Sequence, residues 1–176
     1  MEPLAKLKVI EMGQLIAGPF AAKTLADFGA DVIKIEPPKL GDALRKWRLL
    51  KDGTSVWWQV QSRNKRSLSL DLRQTEAQGI VRTLITEADV LIENFKLGGL
   101  AKYGLDYESL RAVNPRLIYC SITGFGQTGP YAHRAGYDFI IQGMAGVMSV
   151  TGEPGGQPQK VGVAVTDIFT GVYAAT

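Results

Sequence analysis

The feature that most constrains this chain is a rhythm: short apolar runs of strand length alternate with longer stretches of helical periodicity over the first 123 of its 176 residues. LKVIEM (7–12), DVIKIE (31–36), SLSLDL (67–72), ADVLIENF (88–95) and RLIYCSIT (116–123) read as strands. They are too short for helices, and most carry the β-branched and aromatic residues that suit a buried strand. Between the first two, AGPFAAKTLADFGA reads as a helix with Pro19 in its first turn and Gly29 at its C-terminal stop. TEAQGIVRTLITEA, opened by Thr75, and YESLRAVNP, closed by Pro115, supply further helices. Strand, helix and strand at this spacing form the βαβ unit, so the pattern predicts an α/β fold with a mostly parallel sheet and flanking helices.

Two segments break the rhythm. Residues 37–66 hold PPKLGD, a basic LRKWRLLK run and WWQVQSRNKRS, and read as an irregular excursion long enough to serve binding. From Gly124 onward glycine becomes frequent, which lets backbone approach a ligand or another backbone closely, and the run after Asp138 has helical potential. VGVAVT reads as a further β-like run, and IFTGVYAAT as the start of a helix. Asp167 is therefore expected at a strand-to-helix junction, where aspartate is a strong N-cap and where the helix dipole would keep its carboxylate ionised and ready for nucleophilic attack. Local chemistry leaves both roles open.

Composition removes several function classes. The net charge of +3 suits a small anionic ligand and falls short of a nucleic-acid footprint, so no nucleic acid is expected as partner. The single cysteine, Cys120, allows no intrachain disulfide, and the single histidine, His133, allows no multi-histidine metal site, so no metal is expected. Charged residues interrupt every apolar run well before the ~20 residues that cross a bilayer, and the first residues lack the apolar core of a signal peptide. A cytoplasmic protein with no membrane partner is expected. GxSxG is absent, which leaves serine-hydrolase chemistry without its elbow. EMGQLIAGP and Glu36 stand where a Rossmann fold carries its phosphate loop and ribose acid, but Gly13 and Gly18 do not make GxGxxG. The basic residues Arg45, Lys46, Arg48, Arg63, Lys65 and Arg66, with Trp57 and Trp58, read either as phosphate donors or as a solvated loop over two core tryptophans.

Taken in order, LIAGP, LADFGADVIKIE, NKRSLSLDL, ADVLIENF, GFGQTGP, RAGYDF and AVTDIFTG resemble the amino-terminal part of the class III CoA-transferases, the family of formyl-CoA transferase and carnitine CoA-transferase. The match runs from Leu7 to Thr176, and the α-methylacyl-CoA racemases share most of these motifs. The resemblance implies a Rossmann-like sheet within a two-domain, interlocked-dimer fold. Residues 1–176 would be its amino-terminal CoA-binding domain, with the small domain and the carboxy-terminal return absent. It implies coenzyme A as the carrier, an acyl-CoA and a carboxylic acid as small-molecule partners, and a homodimer as the complete assembly.

By the match with AVTDIFTG, Asp167 is the implied nucleophile, passing through an aspartyl anhydride and an aspartyl-CoA thioester. Tyr137 and Asp138 of RAGYDF match active-site positions beside it. Implied CoA contacts are Leu15, Ile16 and Ala17 after the first strand, Leu70 and Arg73 after NKRS, and Asn94, Phe95 and Lys96 at the end of ADVLIENF. Lys102 stands where the family often has arginine. Ile16 and Pro37 depart from formyl-CoA transferase, which has glutamine and a basic residue there, and this argues against formyl-CoA as substrate. Tyr137 stands where the racemases carry a histidine, one of the two bases that racemisation needs, so transfer is favoured. Racemisation, and CoA binding without activity, remain the alternatives. Because the family's missing half carries a loop that covers the site, catalysis by these residues alone is expected to be compromised. GEPGGQP (152–158) either meets the acyl group or makes an ordinary tight turn.

Overall fold

The computed structural model describes residues 2–176. Its first unit is β1 (Lys8–Glu11), α1 (Ala17–Asp27) and β2 (Asp31–Glu36). Ala21, Ala22 and Ala26 are buried on one side of α1, and their small size lets the helix lie close on the sheet. Gly29 takes φ +100° just past the helix, the left-handed conformation that turns the chain into β2. The two strands pair in parallel, Val9 opposite Val32 and Ile10 opposite Ile33.

The excursion is more ordered than its composition predicts. It holds a small hairpin, β3 (Leu50–Lys51) with β4 (Thr54–Ser55), and then α2 (Val56–Gln61), whose first turn is capped by the Ser55 hydroxyl accepting from the Trp58 amide. The next strand, β5, spans Lys65–Ser69 rather than 67–72. The displacement has a physical cause. Lys65 points inward to a buried carboxylate, so the strand opens on a charged residue that no apolar pattern reveals, while Leu70 packs beyond the ladder against the core. α3 (Thr75–Ile85) follows, opening at Thr75 as the pattern predicts; then β6 (Val90–Glu93), α4 (Tyr107–Arg111) and β7 (Ile118–Ser121).

These five long strands form one parallel sheet in the order β5-β2-β1-β6-β7. The chain works outward from β1 to β5, then crosses back to place β6 on the other side of β1. That reversal opens a crevice at the carboxyl ends of β1 and β6, where ligands bind in folds of this kind. Successive side chains point to opposite faces. Ile10 and Leu91 join Val81, Ile85 and Leu110 of α3 and α4 on one face, while Val9, Val32, Val90 and Ile92 meet the alanines of α1 on the other.

The remaining helices are α5 (Asp138–Met144) and α6 (Val165–Ala175). The β-like run before Asp167 is not a strand. Its Val161 amide is taken by Gln142 Oε1 at 2.8 Å, so a side chain rather than a ladder satisfies this backbone. α6 crosses α1 at Gly171, where an added Cβ would stand 2.9 Å from the Ala17 carbonyl oxygen and 3.0 Å from Phe20 Cβ. Among the described residues no helix is long and apolar enough to cross a membrane.

Candidate active site

The segments that leave β1, β6 and β7 converge with the first turn of α6 around a cavity of about 380 Å³, within the range of small-molecule sites. After β1 the chain makes a tight turn in which a Cβ on Gly13 would meet Gly18 Cα at 3.0 Å. Leu15 then adopts φ +62°, a left-handed conformation that costs a branched residue about 1 kcal/mol. Two side chains hold the turn in place. Asn94 accepts from the Gln14 amide and donates to the Gln14 carbonyl, each at 2.8 Å, and Asp42 Oδ1 accepts from the Leu15 amide at 3.0 Å.

Beneath the turn lies a buried ionic network. Glu11 receives Lys34 at 2.6 Å and Lys65 at 2.7 Å, and Lys34 also reaches the Gly13 carbonyl at 2.7 Å and Asp42 at 2.9 Å. Burial pulls the Lys34 pKa down, but Glu11 and Asp42 more than offset it and the ammonium is held above its usual range. Lys65 lies below its usual value because burial outweighs Glu11. Beside this network, burial opposes ionisation of Glu36. The Arg45 guanidinium, the Asp42 amide and the Ser67 hydroxyl overcome that burial and hold its carboxyl at about 2. The acid at the ribose-binding position is thus already engaged. So are the basic residues of SRNKRS: Arg63 pairs with Asp27, Lys65 with Glu11 and Arg66 with Asp31.

The second wall is the end of β6, where Asn94, Phe95 and Lys96 face the cavity. Glu93 accepts from the Phe95 amide at 2.7 Å and from the Ser121 hydroxyl, and burial raises its pKa. The third wall is the loop between Gly124 and Gly136, whose backbones touch at its base and leave no room for a Cβ on either. Phe125 and Tyr131 pack edge to face at 5.7 Å, Arg134 lies 4.9 Å over the Tyr131 ring, and His133 and Arg134 line the cavity.

The fourth wall is α6. Asp167 is not its N-cap; Ala164 holds that position and Asp167 sits in the first helical turn, half-buried. The cap comes from another helix, since Asp138 accepts from the Thr166 amide at 2.9 Å and its hydroxyl at 2.7 Å, and from Gln142 at 2.7 Å. Nor does the helix terminus dominate the charge state of Asp167. Burial, then the negative charge of Asp138, push its carboxyl up to about 6.

Of the residues singled out by resemblance, Leu15, Ile16, Ala17, Asn94, Phe95, Lys96, Tyr137 and Asp167 line this one cavity. Asp138 stands behind Asp167 rather than on the cavity surface. Leu70 packs into the core, Arg73 pairs with Asp71 at 2.8 Å, and Lys102 lies 4.7 Å over the Tyr103 ring, all three away from the cavity lining. Sequence reasoning missed Gln14, Thr166 and Thr170 on the walls and Asp42 beneath them. Gly41-Asp42 was readable as a turn, but nothing local tells which distant amide its carboxylate meets. Among the described residues no three His, Cys, Asp or Glu side chains cluster as a metal site would require.

Comparison with known proteins places this geometry. Residues 4–176 match the family described as CoA-transferase family III. A succinate–glutarate CoA-transferase of Agrobacterium fabrum is 58% identical, covering 99% of this chain and 45% of the relative. The succinyl-CoA:glutarate CoA-transferase of Homo sapiens is 42% identical over 99% of this chain and 40% of its own length. Among solved structures, a CAIB/BAIF family protein from Brucella suis superposes with a TM-score of 0.93 at 58% identity, covering 98% of this chain and 47% of that one. The chain thus spans a little under half the length of these relatives.

Proposed function

The chain belongs to CoA-transferase family III, and from that premise we propose that its cavity takes an acyl-CoA and that Asp167 is the nucleophile passing coenzyme A to a carboxylic acid. The observation that carries this reading is that Asp167, the Gln14–Ala17 turn and the Asn94–Lys96 segment line one cavity. The N-terminus of α1, which carries no side-chain cap and no acid in its first turn, adds positive potential there. Lys96 and Arg134 add cationic side chains that suit an anionic ligand.

In the proposed cycle an Asp167 carboxylate oxygen attacks the thioester carbonyl carbon, forming a C–O bond as the C–S bond breaks and thiolate leaves. The mixed anhydride is opened at the Asp167 carbonyl by that thiolate, which frees the donor acid and leaves a thioester on Asp167. An acceptor carboxylate then attacks this thioester, expelling thiolate and forming a second anhydride. Thiolate attack on the acceptor's carbonyl gives the new acyl-CoA and restores Asp167. Every intermediate keeps its activation so long as water is excluded. Asp138 is a positioning residue here: it ties Thr166 and so fixes the turn that presents Asp167.

Short dicarboxylic acids are the proposed acyl groups, supported by the succinate and glutarate named for the relatives and by His133 and Arg134 on the cavity wall. A homodimer is the proposed working state, supported by the exposed Phe139, Ile140, Met144, Phe169 and Tyr173 on α5 and α6. The test is to incubate the chain with succinyl-CoA and measure intact mass, with and without hydroxylamine. A hydroxylamine-sensitive adduct that Asp167→Ala abolishes is the expected result. Solvent deuterium entering the α-carbon without any adduct would instead identify a racemase.

A further inference from the structure

We infer that Asp42, in a segment remote from Asp167 along the chain, is a positioning residue that, beside Asn94, holds the Leu15 turn in its ligand-receiving shape. The inference rests on the acyl-CoA reading of the cavity for its purpose, but its geometry stands without it.

Leu15 is the left-handed residue of the turn, with φ +62°, and Ile16 and Ala17 beside it line the cavity. Left alone, such a residue relaxes into the broad right-handed or extended regions. The Asp42 carboxylate opposes that relaxation. Oδ1 accepts from the Leu15 amide at 3.0 Å and from the Leu44 amide at 2.9 Å, and Oδ2 lies 2.9 Å from the Lys34 ammonium. A carboxylate used on both oxygens and almost wholly buried has one low-energy orientation, so its contact with Leu15 is directional.

The socket around Asp42 is equally determined. Its own amide donates to Glu36 at 2.8 Å, and Glu36 is gripped by both arms of Arg45. The preceding Gly41 has φ +65°, and a Cβ there would stand 2.5 Å from Arg45 Nε and 2.9 Å from Glu36 Oε2. Lys34 in turn touches the Gly13 carbonyl, so one ammonium ties the start of the turn while Asp42 ties its middle. The glycine, the aspartate and the arginine of GDALR therefore form one device that reads the sheet's end and sets the turn.

Variants separate positioning from plain structural support. Asp42→Asn keeps an acceptor oxygen for Leu15 and loses the ionic partner of Lys34, whereas Asp42→Ala loses both. The expected results are that CoA affinity of the chain, measured by calorimetry, falls about tenfold or more for Asp42→Ala and is largely restored in Asp42→Asn. Hydrogen exchange supplies a readout that needs no variant. The Leu15 amide of the unsubstituted chain, though in a turn, should be protected to the same degree as the Ile10 amide of β1. In Asp42→Ala it should exchange at least about tenfold faster while Ile10 is unchanged. Equal losses in both variants, a Leu15 amide that exchanges freely in the unsubstituted chain, or a uniform rise at Leu15 and Ile10 together would each overturn the inference. Absence of CoA binding by the unsubstituted chain, with Leu15 still protected through Asp42, would sink the acyl-CoA reading and support the positioning.

Discussion

Val9, Leu91 and Ile92 on the central strands are completely buried, while Tyr137, Phe139 and Phe169, equally apolar in bulk, stand more than half exposed. From Thr123 to the end only Ala132, Gln142, Ala164 and Gly171 are buried. The contrast teaches how the site is mounted. A parallel sheet hides both faces under helices and so holds the turns at its strand ends rigidly. α6 leans on α1, α5 leans on α6, and together they present Asp167 from a lightly packed wall. One side of the cavity is anchored and the other is hung.

The strongest way to break that contrast is truncation on each side. Leu91→Ala should cost about 3–4 kcal/mol in urea unfolding, because a fully buried leucine leaves a cavity the flanking helices cannot fill. Phe169→Ala, at 57% exposure, should cost less than about 1 kcal/mol. Equal costs would show that the last third is as tightly packed as the sheet.

Next in size is the single point where the two regions lock. Gly171→Val places methyl groups against the Ala17 carbonyl and Phe20, and overpacking there should cost about 2–3 kcal/mol. Protease cleavage within α6 should rise while the strands of the sheet stay protected. Cleavage spread evenly over the chain would mean that the two regions unfold as one.

The ionisation of Asp167 sharpens the comparison further. The folded chain holds this proton up to about pH 6, whereas the unfolded carboxyl releases it near 3.8. Between those values the folded state binds more protons, so stability falls as pH rises through the window and remains lower above it. The full shift corresponds to about 3 kcal/mol, and solvent screening of this half-buried group reduces it. Asp167→Asn should therefore be more stable than the unsubstituted chain by about 2 kcal/mol at neutral pH and equal to it below about pH 4. Adduct formation at Asp167 should fall as pH drops through about 6. A midpoint near 3.8 would mean that neither burial nor Asp138 controls this group.

The smallest effect belongs to the anchored side. Glu36 is held at about 2 against 4.5 unfolded, so its contribution is complete above 4.5 and lost as pH falls toward 2. Arg45 is partly exposed, which screens the pair, and Arg45→Met should cost only about 1 kcal/mol at neutral pH. Its loss should shift the acid limb of unfolding upward in pH; an unmoved limb would remove Arg45 as the cause of the depressed value.

Much of the sheet was legible because β1, β2 and β6 each carry a short apolar run, Val9–Ile10, Val32–Ile33 and Val90–Ile92, whose length and composition betray a buried strand locally. The failures were charged or satisfied elsewhere. Lys65 opens β5 with a charge whose partner, Glu11, is 54 residues away, and the apolar run before α6 looked like a strand until Gln142 supplied its backbone partner. At the site, eight of the residues named by resemblance share one cavity, yet Asp138 proved to face Thr166, and Asp42 was passed over as part of a loop.

By itself the amino-acid sequence determined the βαβ order, the glycine turns and the family to which these residues belong, because periodicity, turn chemistry and motif order are properties of neighbours along the chain. Only the tertiary structure decided that Asp167 carries a raised pKa, that Asp138 caps a helix other than its own, and that Asp42 reaches Leu15 across 27 residues. Burial, electrostatic coupling and the satisfaction of a buried carboxylate depend on what lies across the sheet, and no local pattern encodes that neighbour.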